Sequence, residues 1–211
     1  MTQEEIKAKK HNKKGEIKML GFHTDGIRFF GASDSLLEKA KKHKLPVVKK
    51  STTNTLVFAI DTAEPLTKKL YATSFLAPQA PWFSCFVGDA ERPADYSLHF
   101  ATEDDLFDFI LAMYYCSLGF LHLDFDLPEL FAKLNPGPEY MIHSFEEKDF
   151  HKIGEEGAFA ACFCFLEGGF MESDRLFGKL TKEYGVGADK IMLAGSFDSK
   201  YQFLRTFIPQ K

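Results

Sequence analysis

Apolar positions fall into short runs broken by polar residues, glycines and prolines, and the spacing within each run predicts strands and helices of modest length. Residues 17–22 and 26–30 are apolar-rich segments flanking Thr24-Asp25-Gly26. Asp-Gly between two such runs predicts a hairpin of two antiparallel strands. Ser35, with Glu38 three residues later, has the pattern of a capping box, and the short basic helix it opens must end by Lys44 because Leu45 precedes Pro46. Thr55–Ile60 is rich in β-branched and aromatic residues and reads as a buried strand. Asp61-Thr62 then caps a short helix carrying Leu66, Leu70 and Tyr71. Trp82–Val87 and residues 96–100 are further strands. The clearest helix follows, capped by Thr102 with Glu103, Asp104 and Asp105 in its first turn, and with Leu106, Phe109, Ile110, Met113 and Tyr114 on one face.

Residues 120–125 alternate as a strand does, and Asp126 caps a helix with Pro128 in its first turn and Leu130, Phe131 and Leu134 inward. Residues 140–145 form another strand. Gly154-Glu155-Glu156-Gly157 marks a change of composition, beyond which residues 159–166 are apolar on both faces and predict a central strand. Ser173 caps a helix that stops at Gly185, and strands at 190–197 and 201–208 close the chain. The elements sum to an α+β fold of mixed, mainly antiparallel sheets with helices on one face, ending in a β-α-β-β unit. Three parts are expected: a basic arm at 1–15, an α+β domain at 16–153 and a C-terminal subdomain at 154–211.

Composition narrows the function classes. The 211 residues are 45% hydrophobic and 27% charged, which excludes intrinsic disorder over most of the length. The uncharged run at 109–121 is shorter than the roughly 18 apolar residues a membrane span needs. Four cysteines (Cys85, Cys116, Cys162, Cys164) are too few for a disulfide scaffold, and the polar, basic start has no secretory signal, so a reducing cytoplasm is expected. The 23 phenylalanines against one tryptophan imply aromatic cores with some rings left for contact surfaces.

Charge is divided unevenly. Residues 1–50 carry 13 Lys and Arg against 6 Asp and Glu, and the remainder 13 against 24, so a segment at +7 precedes one at -11. Lys9, Lys10, Lys13, Lys14, Lys41 and Lys42 are candidate anion-binding residues for nucleic acid, an anionic surface or an acidic protein face. A solvated tail would have the same composition.

Candidate chemistry is sparse. His122 and Asp124 stand at alternate positions with Asp126, and on an extended chain they share a face, which makes them candidate metal ligands for Zn, Mn or Fe. Cys162 and Cys164 also alternate, but no second close pair completes a zinc ribbon, and buried thiols account for them. Cys85 or Cys116 as a nucleophile with His99 or His143 lacks any local activating signal. Gly168-Gly169 and Gly185-Val186-Gly187 match no dinucleotide or P-loop pattern, and the cofactor is left undefined.

Residues 96–106, 121–130 and 140–145 give the succession strand, Thr102-capped helix, strand, helix, strand. Over residues 70–150 this resembles the SseB-type domain of the enhanced-serine-sensitivity family, and the likeness implies a small α+β binding or regulatory module with no catalytic residues to transfer. Residues 158–208, with Gly168-Gly169, a capped helix, a strand through Ile191-Met192 and a turn at Asp198, are similar to the C-terminal domain of tubulin-like division proteins. The nucleotide-binding half of those proteins has no counterpart here. The sequence therefore favours a non-enzymatic cytoplasmic protein-binding or regulatory module, acting on a protein partner or a second copy through exposed Phe residues and the basic region. The competing readings are a metal-assisted enzyme around His122 and Asp124, and an anion- or nucleic-acid-binding protein using the Lys-rich region.

Overall fold

The structure, a computed structural model, describes residues 24–60, 82–88, 98–118, 132–152, 161–164, 170–188, 191, 193–194 and 204–211. They form an α+β fold around one mixed sheet. Its strands are β1 (Gly26–Phe30), β2 (Thr55–Ile60), β3 (Trp82–Val87), β4 (Leu98–Phe100), β5 (Met141–Phe145), β6 (Ala161–Cys164), β7 (Leu193–Ala194) and β8 (Leu204–Gln210). The helices are α1 (Asp34–Lys42), α2 (Glu103–Leu118) and α3 (Phe170–Lys182), with a 3-10 helix at Glu147–Lys152. The arm at 1–15, the strand expected at 17–22, the helix expected after Asp61-Thr62 and the strand expected at 120–125 lie outside the described residues.

Strand order across the sheet is β1-β2-β3-β4-β5-β8-β6-β7. The first five strands run parallel, β8 is antiparallel to both β5 and β6, and β7 is parallel to β6. The C-terminal β-α-β-β order is present as β6, α3, β7 and β8. The expectation of mainly antiparallel pairing is corrected, since five of the seven pairings in this sheet are parallel.

The reason begins at Asp25-Gly26. Instead of turning a hairpin, Asp25 is held to the turn before β2: its N–H donates to the Asn54 carbonyl at 2.8 Å and its carboxylate accepts from Thr52 Oγ1 at 2.9 Å. One flank of β1 is then taken by β2 and the other, at Ile27, by a bridge to Val47. The Ile27 N–H donates to the Pro46 carbonyl and the Val48 N–H to the Ile27 carbonyl, each at 2.8 Å. Glycine is required at 26 by this close approach, because a Cβ there would stand 2.5 Å from the Pro46 oxygen and 2.6 Å from Val48 Cγ1. Parallel neighbours need crossovers, and α1 and α2 supply those from β1 to β2 and from β4 to β5. Strand β2, buried at all six positions, has the two-sided apolar character of a parallel interior strand.

Helices cover both faces, which corrects the one-face expectation. On the first face Leu36 and Ala40 of α1 and Leu106, Phe109, Ile110 and Met113 of α2 share a core with Phe58, Phe83, Phe100 and Phe207. Phe109 is its centre, with its ring 5.6 Å from Phe83, 5.3 Å from Phe100 and 5.6 Å from Phe207. On the second face, Phe145 and Ile208 pack against Phe150 of the 3-10 helix and Leu176 and Leu180 of α3. β5 and β8 alternate apolar residues to both sides, and each side needs its own cover.

Helix ends follow local chemistry, with two corrections. Thr102 caps α2 as expected, its Oγ1 accepting from the Asp105 N–H at 3.2 Å. The cap of α1 is Ser33, not Ser35: Ser33 Oγ accepts from the Leu36 N–H at 3.0 Å, which starts the helix two residues earlier. Helix α3 begins at Phe170, so Ser173 lies inside it and is not the cap, while Gly185, at φ +68°, supplies the left-handed residue beyond its end.

Candidate functional site

The charged surface that the sequence singled out is partly described, at α1 and the chain that follows it. Lys9, Lys10, Lys13 and Lys14 lie outside the described residues. Lys41 and Lys42 are exposed in the last turn of α1, followed by exposed His43 and Lys44, then by exposed Lys49 and Lys50 beyond the bridge at Val47. Cations at the C-terminal end of a helix complement its dipole, which lets this end carry positive charge without destabilising α1. Among the described residues Lys41 alone of these five lysines meets a carboxylate, Glu38 at 3.7 Å, and that pair is too exposed to neutralise it. Leu37, 38% exposed, stands one turn before Lys41 on the same stripe, and Val47 is 48% exposed.

The opposite side of α1 is fastened to α2. Lys39 donates to Glu103 at 3.0 Å and to Asp104 at 2.6 Å, and Ser33 Oγ donates to Glu103 at 2.5 Å. Partial burial opposes the Lys39 charge, but the hydrogen bonds to Asp104 and Glu103 outweigh it and raise its pKa. Burial likewise opposes the Glu103 carboxylate, and the bonds from Ser33 and Lys39 overcome it and lower its pKa. The His43 ring meets Phe107 edge-on at 5.1 Å between centroids. Lys39 is thus spent inside the fold, while Lys41, Lys42 and Lys44 are presented outward from an anchored helix.

Two further polar clusters hold the sheet to its helices. Asp105 accepts from the Ser144 N–H and from Thr102 Oγ1, each at 2.6 Å, while Asp108 accepts from Ser144 Oγ at 2.7 Å and from Arg205 Nε at 2.9 Å. On the other face Glu147 accepts both arms of the Arg175 fork, at 2.6 and 2.7 Å, and Lys179 Nζ at 2.8 Å. The Arg175 bonds pull the Glu147 carboxyl down to about 2 against its partial burial, and Lys179 adds to the effect. Apart from Thr102 and Asp105, three residues apart and marked by their capping spacing, sequence reasoning missed these partners because they lie 28 to 97 residues apart.

The other sequence-level candidates divide. His122 and Asp124 lie outside the described residues, and among the described residues no group of three or more His, Cys, Asp and Glu is placed to hold a metal ion. Cys85 pairs in register with Leu98 and shares its core, whereas His99 pairs with Phe86 and points to the opposite face. A nucleophile-base couple of Cys85 with His99 is therefore excluded by the pleat. The Cys162 and Cys164 side chains are outside the described part. Exposed Phe residues are not found among the described residues, where the large exposed apolar side chains are Leu37 and Val47. Nor is any described helix long and apolar enough to cross a membrane.

No family model, curated protein or solved structure matches the chain.

Proposed function

We propose that the chain is a protein-binding module whose α1 ridge docks an acidic face of a partner protein. The observation that carries this is the outward set Lys41, Lys42, Lys44, Lys49 and Lys50 beside exposed Leu37, on a helix whose other side is locked to α2. A partner of opposite charge gains from steering and from contacts to these lysines, and an apolar residue in it would cover Leu37. A nucleic acid fits the same ridge less well. Glu38 and Asp34 are interspersed on α1 and repel phosphate, and Leu37 offers a phosphate backbone nothing. The regulatory-module character implied by the SseB-type likeness is in keeping with this reading.

The test titrates the full chain with a labelled acidic helical peptide bearing one central leucine, and in parallel with duplex DNA. Saturable peptide binding is expected, weakened about tenfold by Leu37→Ser and by charge reversal at Lys41 and Lys42, with a moderate salt dependence. Tighter binding to DNA than to peptide, unaffected by Leu37→Ser and steeply salt-dependent, would assign the ridge to nucleic acid and overturn the proposal.

A further inference from the structure

Arg28 differs from the other described arginines in its partners. Arg175 and Arg205 are spent on the carboxylates of Glu147, Asp108 and Glu146. Arg28 meets no carboxylate among the described residues, yet its guanidinium is held in place. Nη1 donates to Ser51 Oγ at 3.1 Å, and the guanidinium carbon lies 4.4 Å from the centre of the Phe30 ring. Ile27, the preceding residue, points into the core beneath α1 and α2, so Arg28 leaves the sheet on the opposite face, in register with fully buried Val57. A half-buried cation over an apolar floor, fixed by one neutral hydroxyl and one ring, carries a charge that nothing beside it balances.

The loop next to it adds two more cations. The Val48 N–H donates to the Ile27 carbonyl at 2.8 Å and Ser51 accepts from Arg28, so the residues between these anchors, Lys49 and Lys50, are pinned beside neighbouring positions of β1. At about 3.8 Å between successive Cα atoms, both stay within about 8 Å of Ser51, and either ammonium group can turn toward a ligand of Arg28. Both lysines are exposed, and neither meets a carboxylate among the described residues.

We propose that Arg28, oriented by Ser51 and Phe30, forms with Lys49 and Lys50 a binding site for a phosphate monoester dianion. The Nε–Nη2 edge of the guanidinium, uncommitted among the described residues, offers two parallel N–H groups to two phosphate oxygens. A carboxylate brings one charge and two oxygens, both taken by this fork. A phosphate monoester brings a second charge and a third oxygen, which the lysines meet. Because the guanidinium is already fixed against Phe30 and Ser51, little side-chain freedom is lost on binding. The site shares Lys49 and Lys50 with the α1 ridge but rests on Arg28, and it stands whether or not that ridge docks a protein.

The test titrates the full chain at about pH 7.5, where a phosphate monoester is a dianion. Methyl phosphate is the probe and methyl sulfate, of the same shape with one charge, is the control. Binding is followed by the Arg28 Nε–H and Lys50 amide resonances. Methyl phosphate is expected to saturate both signals and to bind about tenfold more tightly than methyl sulfate. Arg28→Lys, which keeps the charge without the fork, should weaken it about tenfold, and Arg28→Gln should abolish saturable binding. Lys49→Ala with Lys50→Ala, at exposed positions, should weaken it about tenfold with the urea midpoint unmoved, which keeps the test decisive should an Arg28 variant misfold. A phosphoserine peptide with uncharged flanks separates the two sources of such a group: tighter binding than methyl phosphate places it on a protein chain, equal binding on a small ester. Equal affinity for methyl phosphate and methyl sulfate, wild-type affinity in Arg28→Lys, or no saturable shift with either probe each overturns the proposal.

Discussion

Replacing Glu147 by glutamine isolates the clamp that joins the 3-10 helix to α3. In the folded chain the Arg175 fork and Lys179 hold the Glu147 carboxyl at about 2, against 4.5 when it is free. Converted at about 1.36 kcal/mol per unit, that difference is ~3.4 kcal/mol. The Arg175 side chain is 45% exposed, so water screens the pair and about 1–2 kcal/mol survives as stability. A depressed carboxyl pKa stabilises the fold above the unfolded value and loses that contribution as pH falls toward the folded one. The wild type should therefore exceed Glu147→Gln by about 0.5–1 M in urea midpoint at pH 7, using a slope of about 2 kcal/mol per M. By pH 3 the gap should shrink to about 40% of its neutral value, since the unfolded carboxyl is then protonated. Because every other carboxyl titrates in both proteins, the difference reports Glu147. A gap that is unchanged or larger at pH 3 would refute the clamp.

Three further substitutions probe the rest of the fold by urea unfolding at pH 7. Phe109→Ala empties the centre of the aromatic core, where the ring is fully buried against Phe83, Phe100 and Phe207, and should cost about 3–5 kcal/mol, with Phe109→Leu recovering most of it. Asp105→Ala removes the partner of the Ser144 N–H and of Thr102 Oγ1 together, and a loss of about 2 kcal/mol is expected. Lys39→Met cuts the tie between α1 and α2 at a partly exposed site, so a loss below about 1 kcal/mol is expected, along with faster hydrogen exchange in α1.

Where the fold was legible, the determining interactions are local. Thr55–Ile60 and Trp82–Val87 match the expected strands residue for residue, because a continuous β-branched and aromatic run leaves the chain few other ways to bury itself. Helix α2 follows from Thr102 and Asp105, three residues apart, ahead of an apolar stripe. Apart from the starts of α1 and α3, misplaced by two to four residues, the errors concern partners distant in sequence. Asp25-Gly26 reads as a hairpin turn until Asn54 and Thr52 are seen to hold it, and the direction of β2 beside β1 then depends on α1 carrying the chain back. The same limit governs the candidate sites. Lys41 and Lys42 stand out in the sequence as charge, but that Lys39 is consumed by Glu103 and Asp104 while its neighbours face outward depends on where α2 packs. His99 and Gln210 are 111 positions apart and neither carries a motif. They come onto one face of the sheet only because β8 inserts beside β5 in a register that sets Gln210 opposite Met141. A shift of one residue would turn Gln210 to the other face, so which residues share a face is a property of the strand register and cannot be read from either residue alone.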